Sequence, residues 1–211
     1  IFIGGLIMSN ATKMSARDRI YNLVDANSFV EIGALVTKRS TDFNMQEKSV
    51  PGDGVVTGYG LIDGSIVYVY SQDAAAMGGS VGEMHAQKIC KMYDMAIKAG
   101  APVIGLIDCA GIRLQEATDA LAGFGKIYKK QAEASGLVPQ ISAILGNCGG
   151  GVAISSVMSD FTFMEKSAKL FVNSPNVIAG NYIDKCDTSS SDFQSEANTV
   201  DFVCEGEAEL L

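Results

Sequence analysis

No basic or acidic tract, no Cys-x-x-Cys pair and no bilayer-length apolar run occur in this 211-residue chain, and it has a single histidine. The net charge of -8 and pI near 4.6 argue against a nucleic-acid partner and against an anionic-membrane surface, since both depend on Lys/Arg clusters. The five cysteines, Cys90, Cys109, Cys148, Cys186 and Cys204, are widely spaced. That spacing excludes the usual structural zinc ribbon, suggests no disulfide framework and fits a reducing, cytoplasmic setting. The seven apolar residues IFIGGLI at the start cannot span a bilayer and follow no basic region. Residues 1–14 are therefore expected to form a disordered leader, or to include sequence upstream of a natural start at Met8. With 47% apolar and 19% charged residues, neither disorder nor a coiled coil is indicated. One domain, residues 15–211, is expected to bury roughly 70% of its unfolded surface.

Strands and helices alternate along that domain. Ser15 and Asp18 read as an N-cap and acidic first turn for a helix over Ala16 to Asp25. Residues Asp42 to Gly52 read as a surface loop. Gly54 to Gln72 reads as a hairpin turning at Asp63-Gly64. Ile89, Met92, Tyr93, Ala96 and Ile97 then recur at helical spacing, and that helix stops at Gly100 before Pro102. A strand at 103–107, a helix from Glu116 to Ser135, a strand at 140–145, a helix beyond Val152 and short strands at 161–165 and 169–173 follow. The alternation implies βαβ units in an α/β fold. The tail from Asp184 reads as loop.

Two glycine segments carry the chemistry. In GNCGGGVAISS, Gly149, Gly150 and Gly151 follow a strand and precede a helix, so backbone N–H groups can approach a ligand with no side chain between. In IDCAGIRLQEA, Asp108-Cys109-Ala110-Gly111-Ile112-Arg113 makes the same kind of turn after the preceding strand. If those strands are parallel neighbours, both loops leave the carboxyl edge of one sheet, where such sheets bind ligands. One N–H from each would form a two-donor oxyanion hole for an enolate or tetrahedral intermediate. Neither a G-x-G-x-x-G fingerprint nor a Walker A lysine accompanies the loops, which disfavours a nucleotide phosphate.

Each feature has a plainer reading beside it. The glycines could serve close helix packing, and Arg113 could be an ion-pair partner rather than an anion contact. His85 could be a base or a packing residue at the start of its helix. Cys148 reads as packing, because nothing nearby in sequence lowers its pKa. Gly78 and Gly79 either line the same cleft or cap the hairpin.

Seven ordered stretches resemble the biotin-dependent acyl-CoA carboxyltransferases, a family that includes propionyl-CoA carboxylase β subunits and glutaconyl-CoA decarboxylase. They are SARDRIYNLVDANSFVEIG from Ser15, PGDGVVTGYGLIDG from Pro51, VYVYSQD from Val67, GGSVGEMHAQKICK from Gly78, GAPVIGLIDCAGIRLQEATDALAGFG from Gly100, SGLVPQISAILGNCGGG from Ser135 and SDFTFM from Ser159. The resemblance implies a crotonase-like (ClpP/crotonase) ββα spiral and carboxyl transfer between carboxybiotin and an acyl-CoA. It implies a thioester enolate held by the Ile112 and Gly150 amides, with Gly111 and Gly151 beside them. Gly78, Gly79, Arg113 and Gly149 are the expected acyl-CoA contacts. It further implies a biotin carboxyl carrier protein, a C-terminal carboxyltransferase half absent from this chain, a homo-oligomer and no metal in this chain. The setting is cytoplasmic, or membrane-associated through a decarboxylase complex.

This chain has AGIR where the family usually has GGAR, and Asn147 where the family has proline. Ile112 keeps its N–H and is expected to narrow the acyl pocket. The stretch after Phe171 looks closer to the decarboxylase branch. The alternatives are a crotonase-like hydratase, isomerase or thioesterase, and a non-catalytic scaffold subunit of a biotin-dependent complex.

Overall fold

The computed structural model describes residues 13–39, 50, 52–173 and 187–211. Helix α1 (Ala16–Leu23) begins as the sequence predicts. The Ser15 hydroxyl accepts from the Asp18 N–H while the Asp18 carboxylate reaches back, a reciprocal cap that satisfies two orphan donors. A two-residue strand β1 (Val30–Glu31) edges the hairpin β2 (Val55–Ile62) and β3 (Ser65–Gln72). At the hairpin tip Asp63 (φ 49°) and Gly64 (φ 75°) are both left-handed, the turn whose twist matches the strands. The Asp25 carboxylate accepts both turn N–H groups, at 3.1 and 2.9 Å.

Helix α2 (Glu83–Ala99) buries Ile89, Met92, Tyr93 and Ala96 along one face and ends on left-handed Gly100. Strand β4 (Val103–Cys109) is buried at every position, as a central strand covered on both faces must be. Then come α3 (Ala117–Ala134), β5 (Gln140–Gly149), α4 (Gly151–Val157), β6 (Phe161–Glu165), β7 (Lys169–Phe171), α5 (Ser191–Glu196), β8 (Phe202–Cys204) and α6 (Glu207–Leu210). The sheet order is β1-β2-β3-β4-β5-β6-β8, with β7 paired to the end of β5. The β1-β2-β3 pairs are antiparallel and every later pair is parallel. One core, including Met92, Phe124, Ile127 and Val152, joins α2, α3 and α4 to the sheet. A smaller one joins α1 residue Ile20 to Val69, Leu106 and Leu145.

Four expectations need correction. Strand β5 runs on to Gly149 because β7 pairs with it at Asn147↔Lys169, Cys148↔Leu170 and Gly149↔Phe171, so Gly149 is a strand residue rather than part of the turn. Strand β7 in turn stops at Phe171, short of 173. The tail is not loop: it forms α5, β8 and α6, of six, three and four residues, too short to leave a periodic signature. Lys13 and Met14 are not leader. The Lys13 ammonium lies 2.7 Å from buried Asp108 and the Met14 N–H donates to Glu207 at 3.1 Å. Residues 1–12, most of the loop expected at 42–52, and Cys186 lie outside the described residues.

Candidate active site

Strands β4 and β5 are parallel neighbours, in register from Val103↔Gln140 to Ile107↔Ile144 and again at Cys109↔Cys148. Their two loops therefore leave the carboxyl edge side by side. They touch: a Cβ added to Gly111 would sit 3.3 Å from the Gly149 carbonyl oxygen, and one on Gly150 3.8 Å from the Gly111 Cα. Gly150 adopts φ 63°, ψ -131°, a region essentially restricted to glycine.

The backbone hydrogen bonds decide which amides are available. The Val81 N–H donates to the Gly111 carbonyl and the Arg113 N–H donates to the Val81 carbonyl, both at 2.9 Å. In such a parallel bridge the intervening Ile112 N–H points away from Val81, and it has no acceptor among the described residues. The Gly150 N–H, expected to be the second donor, is taken by the Phe171 carbonyl at 3.0 Å. The next amide, that of Gly151 at the first position of α4, has no acceptor among the described residues. The Tyr128 hydroxyl fixes Gly151 by donating to its carbonyl at 2.7 Å. Ile112 packs its partly buried side chain against the main core.

Gly78 and Gly79 form a third loop at this edge, since the Gly78 carbonyl accepts the Ala110 N–H at 2.9 Å. Gly79, at φ 65°, lies against the Asp108 carbonyl so closely that any Cβ would overlap it. Gly79→Ala should therefore cost about 2–3 kcal/mol through overpacking and the left-handed φ. A urea unfolding curve shows this as a lower midpoint at unchanged slope, and a loss below ~0.5 kcal/mol would contradict the close contact.

Arg113 is completely buried and takes the ion-pair role, not that of an acyl-CoA contact. Its guanidinium pairs with Asp53 and with Glu116, the latter at 2.8 Å, and donates to the Ser80 carbonyl at 2.8 Å. His85 is buried beside it. One ring nitrogen, Nδ1, is 3.0 Å from the Asp53 carbonyl and the other, Nε2, is 3.2 Å from Gln72 Nε2. These partners fix a neutral tautomer that donates from Nδ1 and accepts at Nε2. Burial first, and then the Arg113 charge, push the His85 pKa down to about 3, so His85 serves packing rather than proton transfer. Burial also lifts the Cys109 and Cys148 thiols to about 12, which leaves them un-ionised and poor nucleophiles.

Asp108 belongs to a second buried network on the α1 side. Arg19 bridges it, at 3.2 Å, to Glu207 of α6, at 2.6 Å. A cleft of about 530 Å³ opens beside this network, lined by Lys13, Asn147, Glu165, Ser167 and Glu207 among others; none of Gly149, Gly150 and Gly151 lines it. Among the described residues no group of three or more His, Cys, Asp or Glu side chains could hold a metal ion. No described helix is long and apolar enough to cross a membrane.

Sequence reading located the two loops but missed the groups that set them: Asp53, Ser80, Val81, Glu116, Tyr128 and Phe171. Most of these lie 20 to 60 residues from their partners, beyond any local signal.

Residues 9–197 match the family described as carboxyl transferase domain. The chain is 53% identical over 167 residues to a propionyl-CoA carboxylase beta chain of Roseobacter denitrificans, covering 79% of this chain and 33% of that one. It is 52% identical over 167 residues to a methylmalonyl-CoA decarboxylase subunit alpha of Propionigenium modestum, covering 79% and 32%. It thus spans about a third of the length of these curated relatives. Among solved structures it is similar to transcarboxylase 12S, described as a hexamer with methylmalonyl-coenzyme A bound, at TM-score 0.89 and 37% identity over 94% of this chain and 40% of that one. It is also similar to a chain of a Pseudomonas malonate decarboxylase hetero-tetramer, at TM-score 0.84 and 27% identity over 94% and 78%. The expected crotonase-like α/β fold is the fold found. With most of its length matched and its parallel sheet and paired glycine loops in place, the chain belongs to the carboxyl transferase domain family.

Proposed function

We propose that this chain is the acyl-CoA-binding half of a biotin-dependent carboxyltransferase or decarboxylase. The carrying observation is the pair of touching loops that present the Ile112 and Gly151 N–H groups without acceptors among the described residues. Two backbone donors directed at a thioester oxygen stabilise the enolate that forms when the α-carbon loses its carboxyl group in decarboxylation, or loses a proton to the biotin released from carboxybiotin before carboxylation, typically by about 3 kcal/mol per donor. Carboxybiotin, bound on a carrier protein, supplies the carboxyl group in the forward direction. The family's second half would receive it, so the working assembly contains that half and is a homo-oligomer.

The hydratase or isomerase reading needs an available carboxylate at the α-carbon. The buried carboxylates flanking the loops, Asp53, Asp108 and Glu116, are all committed to ion pairs. Carboxyl transfer needs no such side chain and is the reading the geometry favours.

The test mixes this chain with the separately expressed C-terminal half of a propionyl-CoA carboxylase beta chain and a carboxylated biotin carrier, and follows labelled carboxyl into propionyl-CoA. Transfer is expected with both halves present and at background with either half omitted. Robust transfer by this chain alone, or none with a folded, assembled pair, would contradict the proposal.

A further inference from the structure

The glycine loops supply the amides, but a glycine-rich segment does not by itself hold an amide still. Residues 111–113 follow a β-strand that has already ended and precede the short turn Leu114–Glu116, so their position depends on what anchors them. The main-chain anchor is one bridge to Val81, itself in a loop. Side chains hold it at three points: the Cys109 thiol accepts the Gly111 N–H at 3.3 Å, Ile112 packs against the main core, and Arg113 alone reaches across to the neighbouring loops.

Every part of the Arg113 guanidinium is engaged. Its Nη1 meets Asp53 and Glu116, its Nη2 donates to the Ser80 carbonyl at 2.8 Å, and its Nε lies 3.4 Å from the Ser80 hydroxyl. Asp53 is itself fixed, because its other carboxylate oxygen accepts the His85 N–H at 2.7 Å at the start of α2. Glu116 likewise accepts the Glu83 N–H, at 2.6 Å. One side chain therefore ties the loop carrying Ile112 to the loop carrying Val81, to the first turn of α2 and to the turn before β2. Gly82 makes room for it: a Cβ there would strike both Arg113 and Glu116.

We infer that Arg113 is a positioning residue whose buried ion-pair clamp, together with Asp53, Glu116 and Ser80, sets the orientation of the Ile112 N–H for the thioester oxygen. The inference rests on the carboxyltransferase reading for its functional consequence and on the contacts of Arg113 alone for its mechanical one. A planar guanidinium meets these partners in a fixed fork, whereas a lysine ammonium preserves the charge and loses the fork.

Two measurements on the full chain separate the consequences. The first is the backbone amide order parameter of Ile112 from ¹⁵N relaxation, without ligand, in the wild type, Arg113→Lys and Glu116→Gln. The clamp predicts a rigid value near ~0.85 in the wild type and a fall toward ~0.6 in the variants. Gly151 and the α2 amides beyond its first turn should be unchanged, and Glu116→Gln keeps the test alive if Arg113→Lys does not fold. An unchanged Ile112 value in a folded variant overturns the inference. The second is the infrared carbonyl stretch of ¹³C-labelled propionyl-CoA bound to the same proteins. A red shift in the wild type that shrinks in the variants, while free CoA binds equally to all, supports positioning of the donor. A full shift retained in the variants overturns it. No shift in the wild type, with Ile112 loosened in the variants, rejects the carboxyltransferase reading and leaves the clamp standing.

Discussion

Replacing Arg113 with methionine is expected to lower the unfolding free energy by about 3–5 kcal/mol. The change removes the cation that pairs with Asp53 and Glu116 and leaves two buried carboxylates with only a backbone N–H each and no counter-ion among the described residues, and an unpaired buried charge costs far more than the intact pair contributes. A single domain has only about 5–15 kcal/mol in total, so the variant should sit near the edge of stability. Urea denaturation followed by circular dichroism reads the effect. Adding Asp53→Asn and Glu116→Gln to Arg113→Met should recover a large part of the loss, since both orphaned charges then disappear. A single-variant loss under ~1 kcal/mol would show that water or rearrangement reaches these carboxylates, against their burial here.

Acid should destabilise the protein well before its ordinary carboxylates titrate. The lone histidine carries this effect, with its pKa lowered from 6.5 to about 3. Between those values the unfolded chain binds a proton that the folded protein does not, so stability is complete above pH 6.5 and falls as the pH drops toward 3. The expected loss is about 2 kcal/mol between pH 8 and pH 5, with a slope approaching ~1.4 kcal/mol per pH unit below that. Asp53 opposes this, because burial raises its own pKa and the folded protein then takes up that proton more readily than the unfolded chain. Urea midpoints at pH 8, 6.5, 5.5 and 5 measure the slope, and a folded His85→Gln variant should flatten it. A flat wild-type profile over that range would mean that His85 becomes protonated in place.

Much of the fold was legible because its signals are local. Asp63-Gly64 demanded a left-handed turn and received one, Ser15 with Asp18 made a capping box, and Gly100 closed α2 in the left-handed conformation. Strand-turn-helix order around Gly111 and Gly150 also placed both loops at one sheet edge, and the parallel pairing of β4 with β5 realises that placement. The availability of each amide was not legible. It depends on β7, whose Phe171 carbonyl takes the Gly150 N–H from 21 residues further on, and whose pairing turns Gly149 into a strand residue. Arg113 was equally ambiguous in sequence. Its ion-pair role depends on Asp53, 60 residues away, and on a Gly82 with no side chain to block the path. The short elements α5, β8 and α6 escaped because three to six residues carry no measurable period.

The proposed function requires this chain, by itself, to present a preformed thioester site on the Ile112 and Gly151 loops. Native mass spectrometry of the chain with a panel of acyl-CoAs, and with free CoA as the control, tests it most directly. One acyl-CoA is expected to be retained per chain, more tightly than free CoA, together with an assembly mass that gives the stoichiometry. No retention of any acyl-CoA, or equal retention of acyl-CoA and free CoA, would contradict it.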